Sequence, residues 1–232
     1  MIKVCHVTSA HGEEDDRIFL KECVSLADNG YEVYLVERGN TYDKDGVHII
    51  GLGDIPENRL KRMINGGKRA YRKALEINAD IYQLHDPELL PYALKMKKKG
   101  KTVLFDSHED VPAQIIDKYW IPKFLRYLTA KIYKSYETHV IKRIDAVVAA
   151  TPHIAEQFAG RAKKIEIINN YPKLDDIQYH DTPFANRDRV ICYAGGIDEI
   201  RGEKIMIEAM RDIDGKMIIA GPHDIFSIPG DE

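Results

Sequence analysis

Residues 2–37, IKVCHVTSAHGEEDDRIFLKECVSLADNGYEVYLVE, contain two apolar, β-branched runs on either side of an amphipathic segment. The runs Ile2–Thr8 and Tyr31–Glu37 predict buried strands. Between them, Asp15–Asn29 predicts a helix with one apolar face, and Gly30 suits the position just after its last turn. Strand, helix and strand in this order are typical of two parallel strands joined by a crossover helix.

The same alternation continues along most of the chain. It predicts strands at Val47–Gly51, Ile81–Leu84, Thr102–Asp106, Ala146–Ala150 and Ile165–Ile168, and helices at Asn58–Asn78, Pro87–Lys99, Pro112–Arg143 (interrupted at Pro122) and Pro152–Ala159. This pattern favours a parallel sheet covered by helices on both faces. We therefore expect residues 1–172 to form an α/β domain with a doubly wound, Rossmann-like sheet.

A second, shorter pattern follows a polar segment. Residues 173–188 are predicted to be an interdomain linker. Within 189–232 one strand–helix–strand unit is predicted, with strands at Arg189–Ala194 and Lys216–Ala220 and a helix at Glu203–Asp212. A fragment of this size is too small to close its own core. We therefore expect an incomplete second Rossmann-like domain that leans on the first domain or on another chain.

The composition excludes several classes of protein. Of 232 residues, 44% are hydrophobic and 31% charged, which argues against a disordered chain. The net charge of −3 gives no global basic field for nucleic acid. The three cysteines have no C-x-x-C spacing, so we expect neither a disulfide framework nor a structural zinc, and a reducing, cytoplasmic compartment. No apolar run is long enough for a membrane span, and residues 1–16 do not resemble a signal peptide.

Ligands of open α/β sheets bind beyond the carboxyl ends of the strands, which places the candidate chemistry in four loops. In the first, residues 8–17, Arg17 could contact a phosphate together with the N-terminus of the following helix. Alternatively, Asp15 or Asp16 caps that helix. For His11 in the same loop, a binding role and a purely structural role stay equally open.

The second loop, residues 85–88, combines a histidine with two acidic residues. Asp86 is expected to cap the helix that begins at Pro87. Capping does not account for His85 or Glu88. These two residues are therefore candidates for the cleft.

The third and fourth loops carry the remaining candidates. Asp106, His108 and Glu109 cluster after an apolar strand, a weak signal for a metal or for acid–base chemistry. The fourth loop has Gly195 and Gly196, which allow close approach of a ligand, and Arg201, which can neutralise a phosphate. Its spacing matches neither the dinucleotide fingerprint nor the phosphate loop of nucleotide hydrolases.

One further stretch is both basic and aromatic. Residues 118–143 are rich in lysine and arginine and include Tyr119, Trp120, Phe124 and Tyr127. Such a stretch suits the surface of an anionic membrane. It equally suits a helix that covers the sheet with its aromatic side chains in the core.

Taken together, these segments resemble the family 4 glycosyltransferases of GT-B fold. The similarity rests on the motifs DDRIFLKECVSLADNGYEV (15–33), HDPELLP (85–91), DSHEDVP (106–112), ATPHIAEQF (150–158), INNYP (168–172) and YAGGIDEIRG (193–202). They occur in the family's order along the whole chain. As a set they are specific, although most are not when taken singly.

The resemblance implies two Rossmann-like domains, with a nucleotide-sugar donor on the C-terminal one and the acceptor on the N-terminal one. It implies a retaining transfer without a cofactor or an active-site metal. It assigns His108 to the donor sugar as the catalytic residue. It implies donor-binding residues at Gly195, Gly196 and Arg201 and, roughly, in the first loop at His11 and Gly12. The residue patterns described above add Arg17 on the donor side, and His85, Glu88 and Glu109 on the acceptor side or in the cleft. The family has a second cation where this chain has Gly196.

The resemblance predicts sugar transfer from a nucleotide-diphosphate sugar to a glycan or lipid-linked acceptor in surface polysaccharide synthesis. It adds weight to peripheral membrane contact through residues 118–143, on the inner face of the membrane. Because the family's later Glu-x7-Glu motif has no counterpart here, we expect a truncated chain with little activity by itself. The alternatives are an acceptor- or membrane-binding half that needs a partner chain or a second copy, and another GT-B enzyme such as a sugar-nucleotide 2-epimerase.

Overall fold

A computed structural model describes residues 1–12, 15–53, 59–118, 121–174, 182–197 and 201–222, without the side chains of 59–64. The chain divides into two compact units, Met1–Tyr171 and Pro172–Glu232, called unit 1 and unit 2. No helix in the described residues combines the length and hydropathy needed to cross a bilayer.

Unit 1 is a doubly wound α/β domain. Its strands are β1 (Lys3–Gly12), β2 (Glu32–Arg38), β3 (Tyr42–Lys44), β4 (Val47–Gly51), β5 (Ile81–Leu84), β6 (Thr102–Ser107), β7 (Ala146–Ala149) and β8 (Ile165–Ile167). They form one sheet in the order β3-β4-β2-β1-β5-β6-β7-β8. Every pairing is parallel except that of β3 with β4. The predicted Rossmann-like fold class is confirmed.

The helices of unit 1 follow the predicted order. They are α1 (Asp16–Cys23 as a π-helix, then Val24–Asp28), α2 (Arg59–Ile77), α3 (Leu90–Lys98, after a 3-10 turn at Pro87–Leu89), α4 (Val111–Asp117), α5 (Lys123–Ile141) and α6 (Pro152–Phe158). The long helical region predicted after residue 112 is thus two helices, because Pro122 begins α5 as its N-cap.

Alternation along the strands creates a core on each face of the sheet. On β2, Val33 and Leu35 pack with Phe19 of α1, whereas Val36 belongs to the larger cluster that includes Met96 of α3. The short strand β3 was not predicted. It forms because Asp45 (φ 47°) and Gly46 (φ 76°) make a tight turn that folds three residues back onto β4.

Unit 2 is a small α/β unit. Strands β9 (Val190–Ala194) and β10 (Lys216–Ala220) pair in parallel, and α7 (Glu203–Ala209) with a 3-10 turn (Met210–Asp212) connects them. Another 3-10 turn lies at Phe184–Asn186. The predicted strand–helix–strand unit is therefore present.

Candidate functional site

A cleft of about 560 Å³ runs along the carboxyl edge of the unit 1 sheet. Its walls come from the segments that follow four strands, which is where the doubly wound fold places ligands. The residues that line it are His11, Asp15, Asp16, Arg17, Ile18, His108, Ala150, Thr151, Pro152, Asn169, Asn170 and Tyr171. Three of the predicted site residues, His11, Arg17 and His108, are therefore brought together.

Asp15 caps the helix at the cleft wall. Its Oδ1 accepts the backbone N–H of Arg17 at 3.0 Å and of Ile18 at 2.9 Å. Its Oδ2 lies 2.9 Å from His11 Nδ1. This hydrogen bond from His11, with the two amides, holds the pKa of Asp15 well below its usual range, and Asp15 in turn raises the pKa of His11. The capping interpretation of Asp15 is confirmed, whereas Asp16 pairs with Lys21 instead.

Arg17 is buried, although it reaches the floor of the cleft. Its Nε and Nη2 donate to the two oxygens of Asp106 at 3.0 and 2.7 Å. Its Nη1 donates to the carbonyl of Ile168 at 2.7 Å, and Nη2 lies 3.2 Å from Glu22 Oε1. The guanidinium is therefore committed to two carboxylates of the chain itself and is not presented to a ligand phosphate as the sequence suggested.

His85 lies beneath the cleft and not on its wall. It is 1% exposed, with Nδ1 at 3.0 Å from Asp106 Oδ2 and Nε2 at 3.0 Å from His6 Nδ1. An acceptor cannot touch a side chain in this position without a rearrangement. His85 thus connects His6 to Asp106. Together with Arg17 and Glu22, these residues form a buried polar network.

This network perturbs three pKa values. Burial first, and then the charge of Asp106, raise the pKa of Glu22 to about 7. Burial opposes protonation of His85, but the hydrogen bond and charge of Asp106 outweigh it and raise the pKa of His85. Burial and the neighbouring His85 lower the pKa of His6 to about 3. The network therefore keeps one histidine neutral and favours the charged form of the other.

Asp86 occupies the N-cap position before Pro87, as predicted, although its side chain accepts no hydrogen bond from that turn. Its Oδ2 instead accepts the hydroxyl of Thr8 at 2.8 Å and the backbone N–H of Ser9 at 2.6 Å and of Ala10 at 3.2 Å. The reason is the parallel pairing of β1 with β5, which places the end of β1 beside Asp86. These partners could not be predicted, because they are far from Asp86 in the sequence.

The other sequence candidates in unit 1 lie around the cleft without lining it. Glu88 accepts a hydrogen bond from Ser9 Oγ at 3.1 Å, and the side chain of Glu109 is exposed. Gly12 packs against β2, where an added Cβ would lie 3.0 Å from the Cβ of Arg38. Glycine at this position therefore serves the approach of two strands.

His108 has the most suggestive surroundings of the candidates. Its ring lies edge-on to that of His11, with 5.5 Å between centroids. Its Nδ1 is buried and has no hydrogen-bond partner among the described residues. Burial is the main cause that lowers its pKa. Burial therefore favours the neutral form of an imidazole that lines the wall of the cleft.

Within the described part of the chain, one group of side chains has the spacing of a metal site. Ligand atoms of His6, Glu22 and His85 lie within 4.8 Å of one another. However, His6 and His85 already share a hydrogen bond at 3.0 Å, and the cation of Arg17 is 3.2 Å from Glu22. These contacts hold the three side chains together without a metal, although His6 Nε2 and Glu22 Oε1 are buried without a hydrogen bond among the described residues, and the absence of a metal stays a prediction.

The predicted site residues of unit 2 form a tight turn after β9. The amide of Gly195 donates to the carbonyl of Ala220, so this N–H is not available to a diphosphate. The hydroxyl of Tyr193 donates to the carbonyl of Gly196 at 2.8 Å. The exposed Arg201 lies against both glycines, since a Cβ added to Gly196 would be 3.4 Å from its Nε.

Sequence reasoning missed several residues of the site. His6 and Glu22 were not singled out, although a histidine inside an apolar strand interrupts the pattern of β1. Asn169, Asn170 and Tyr171 were counted in the motif INNYP (168–172) but were not named as site residues. Their position directly after the last strand of the sheet was the available signal.

Residues 18–171 match the model of Glycosyltransferase Family 4. This match spans about two thirds of the sequence, and the chain belongs to that family. No curated protein matches this sequence.

Solved structures of glycosyltransferases share the fold. Sucrose-phosphate synthase from Thermosynechococcus elongatus gives a TM-score of 0.71 at 13% identity, over 97% of this chain and 63% of that one. Arabidopsis thaliana UGT89C1 complexed with UDP-L-rhamnose gives 0.56 at 10%, over 94% and 64%. The apo form of the lipopolysaccharide outer core galactosyltransferase WaaB gives 0.52 at 16%, over 95% and 61%. The chain spans less than two thirds of the length of each, and the GT-B fold is confirmed.

Proposed function

We propose that this chain takes part in sugar transfer from a nucleotide-diphosphate sugar to a glycan or lipid-linked acceptor, with retention, in surface polysaccharide synthesis. The observation that supports this proposal best is the cleft of unit 1, the unit that contains the family match, with His108 and His11 in the wall of the cleft. Among similar folds, one is a lipopolysaccharide galactosyltransferase and another is complexed with UDP-L-rhamnose. In this proposal the unit 1 cleft takes the acceptor, and Arg201, beside the turn at Gly195 and Gly196, takes the donor diphosphate.

His108 is the residue on which the reaction depends in this proposal. A developing charge at the reacting sugar is stabilised by a positioned polar group. His108 lines the cleft, and burial favours the neutral form of its imidazole, which suits that task. The His108→Ala variant should reduce transfer about 100-fold or more, in the range for a lost positioned donor. His139→Ala, which alters an exposed histidine of α5, should leave transfer unchanged.

The test is an assay of the full chain with UDP-, GDP- and ADP-sugars and lipid-linked acceptors. Product with the donor's anomeric configuration supports the proposal. An epimerised nucleotide sugar without acceptor would indicate the epimerase alternative. No turnover of any donor, with acceptor binding intact, would indicate a binding half that needs a partner. The same assay checks the sequence-based expectation of low activity in this polypeptide by itself.

We also propose that α5 contacts an anionic membrane surface. Phe124, Leu128 and Ile132 form a stripe at four-residue spacing and are 79%, 53% and 60% exposed. Lys131 and Lys134 lie on the same helix and are exposed. An apolar stripe with neighbouring lysines suits the interface of anionic lipid. Tyr119 and Trp120, part of the predicted surface, lie outside the described residues.

Vesicle sedimentation tests the membrane proposal. The chain should bind vesicles that contain phosphatidylglycerol more strongly than neutral vesicles, and salt should weaken the binding. Phe124→Ser with Leu128→Ser should abolish it. Ile205→Ser, which removes an equally exposed apolar side chain in unit 2, is the matched control. Equal loss in both variants, or equal binding to neutral vesicles, would contradict the proposal.

A further inference from the structure

We propose that the unit 1 cleft selects an uncharged, hydroxyl-bearing sugar and excludes phosphates and other anions. Three groups at or beside this cleft that could hold a phosphate already hold a carboxylate of the chain itself. As a statement about an acceptor, the inference rests on the proposed function. As a statement about the ligand of the cleft, it can be tested by binding alone.

The N-terminus of α1 is the first of these anion positions. Helix N-termini bind anions because their first N–H groups have no partner within the helix. Here Asp15 Oδ1 accepts the N–H groups of Arg17 and Ile18 at 3.0 and 2.9 Å. The place of a phosphate oxygen is thus taken.

The guanidinium of Arg17 is the second. Planar, two-pronged recognition by arginine suits phosphate and carboxylate equally. Asp106 occupies that face with contacts of 3.0 and 2.7 Å, and the Arg17 side chain is only 7% exposed. A phosphate would have to displace a fully buried carboxylate.

The end of β1 is the third. Successive N–H groups in a turn form a concave anion site. The N–H groups of Ser9 and Ala10 converge instead on Asp86 Oδ2, at 2.6 and 3.2 Å. All three positions are therefore filled, and the filling groups add negative charge near the cleft.

The charge balance of the cleft also opposes anions. Among the described residues that line the cleft, Arg17 is the only lysine or arginine. Lys21, which reaches Asp16 and Asn170 of its wall, is 2.6 Å from the carboxylate of Asp16. His11 stands between Asp15 at 2.9 Å and Asp86 at 3.7 Å. The exposed Glu109 adds a further negative charge that acts on His11.

Groups that recognise hydroxyls remain at the cleft. Asp16 is a largely exposed carboxylate with one oxygen bonded to Lys21, and the ring of His108 lines the cleft. Asn169 donates to Tyr171 and Asn170 accepts from Lys21, which leaves the other atom of each amide for a ligand, and the ring of Tyr171 is 71% exposed. Carboxylate, amide and imidazole groups exchange hydrogen bonds with hydroxyls, and a flat exposed ring can pack against the apolar face of a sugar.

The test is a titration of the full chain, followed by the amide NMR signals of Asn169 and Asn170. The probes are methyl glycosides of common hexoses, the same hexoses as 6-phosphates, and inorganic phosphate. At least one methyl glycoside should shift these signals. Its 6-phosphate should bind at least about tenfold more weakly, and inorganic phosphate should have no effect. Phosphate binding by the unaltered protein, or no response to any neutral glycoside, overturns the inference.

A gain-of-binding variant sharpens the test. Asp15→Ala uncovers the amides of α1 and should confer binding of inorganic phosphate at the cleft. Asp43→Ala is the matched control, since Asp43 also pairs with a histidine, His48, but on an exposed surface away from the cleft. Phosphate binding by both variants, or by neither when Asp15→Ala is folded, contradicts the assignment.

The two proposals fail separately. If neutral glycosides bind at the cleft but no nucleotide sugar is turned over, the proposed function fails and the selectivity of the cleft stands. If transfer occurs to an acceptor whose reacting sugar carries a phosphate, the proposed function stands and this inference fails.

Discussion

Two loops occupy the same place in the two units, after the first strand and before the helix. Each brings an arginine to the start of that helix. Arg17 in unit 1 is buried between two carboxylates, whereas Arg201 in unit 2 is exposed and packs against two glycines. An arginine at the same position in the fold thus pairs with buried carboxylates in unit 1 and packs against the glycine backbone in unit 2. An arginine at a strand end is therefore not by itself a phosphate site.

The largest effect should come from the buried arginine. Removing one partner of a buried ion pair typically costs about 3–5 kcal/mol, because the other charge is left without compensation. Arg17→Ala should lose that much free energy of unfolding, since Asp106 is fully buried. Urea unfolding, followed by a probe in unit 1, measures it. A loss below about 1 kcal/mol would mean that the two loops do not differ as described.

The second prediction concerns pH. The pKa of Glu22 is raised to about 7 from an ordinary 4.5, so the folded chain binds more protons than the unfolded chain between these values. Stability should therefore fall as pH rises through this window, by at most about 1.4 kcal/mol per pH unit.

Glu22→Gln should remove that dependence. The opposing contribution of His6 is common to both proteins, so the difference in unfolding free energy between variant and unaltered chain reports Glu22 together with its effect on the pKa of His85. It should grow in favour of the variant from pH 4.5 to pH 7. A difference independent of pH would show that Glu22 titrates normally.

A smaller effect should come from the turn of unit 2, where two backbone segments approach each other closely. A Cβ on Gly221 would lie 1.7 Å from the carbonyl oxygen of Gly195, so Gly221→Ala should destabilise unit 2 by about 1–3 kcal/mol. Hydrogen exchange of the β9 and β10 amides measures it. Gly196→Ala is the control, because its Cβ meets only the Arg201 side chain, at 3.4 Å. Equal protection in the two variants would contradict this account.

The smallest effect on stability should come from Arg201. As an exposed side chain, its replacement by Ala should change the free energy of unfolding by no more than about 0.5 kcal/mol. Its role should appear in binding instead. If a nucleoside diphosphate raises the melting temperature of the unaltered chain, Arg201→Ala should reduce that rise. A rise of the same size would remove Arg201 from the donor site.

Much of the fold could be predicted from the sequence, because strands and helices each give a characteristic spacing of apolar residues over a short stretch of chain. Ile81–Leu84 and Val47–Gly51 were predicted with the bounds that the structure has. The strand β3 escaped prediction because three residues are too few for a periodicity. The π-helix at the start of α1 also escaped, since an amphipathic pattern does not distinguish five-residue from four-residue hydrogen bonding.

The site was less predictable, because its partners are distant in sequence. Asp86 was interpreted from its neighbour Pro87, but the backbone amides that donate hydrogen bonds to its side chain are 76 and 77 residues away in the sequence. Arg17 was expected to hold a phosphate because Asp106, 89 residues away, could not be paired with it from the sequence. Asp15 was predicted correctly as a cap because its partners are two and three residues away.

The π-helix of α1 has a consequence for how this segment can vary in length. Residues five apart in an α-helix point about 140° apart around the axis. In α1 the same spacing brings Asp16 to Lys21 at 2.6 Å and Arg17 to Glu22 at 3.2 Å. Adding or deleting one residue between them would separate both pairs at once. Across members of the family we therefore expect this helix to keep its residue count even where its side chains differ, unlike a surface loop, which tolerates insertions.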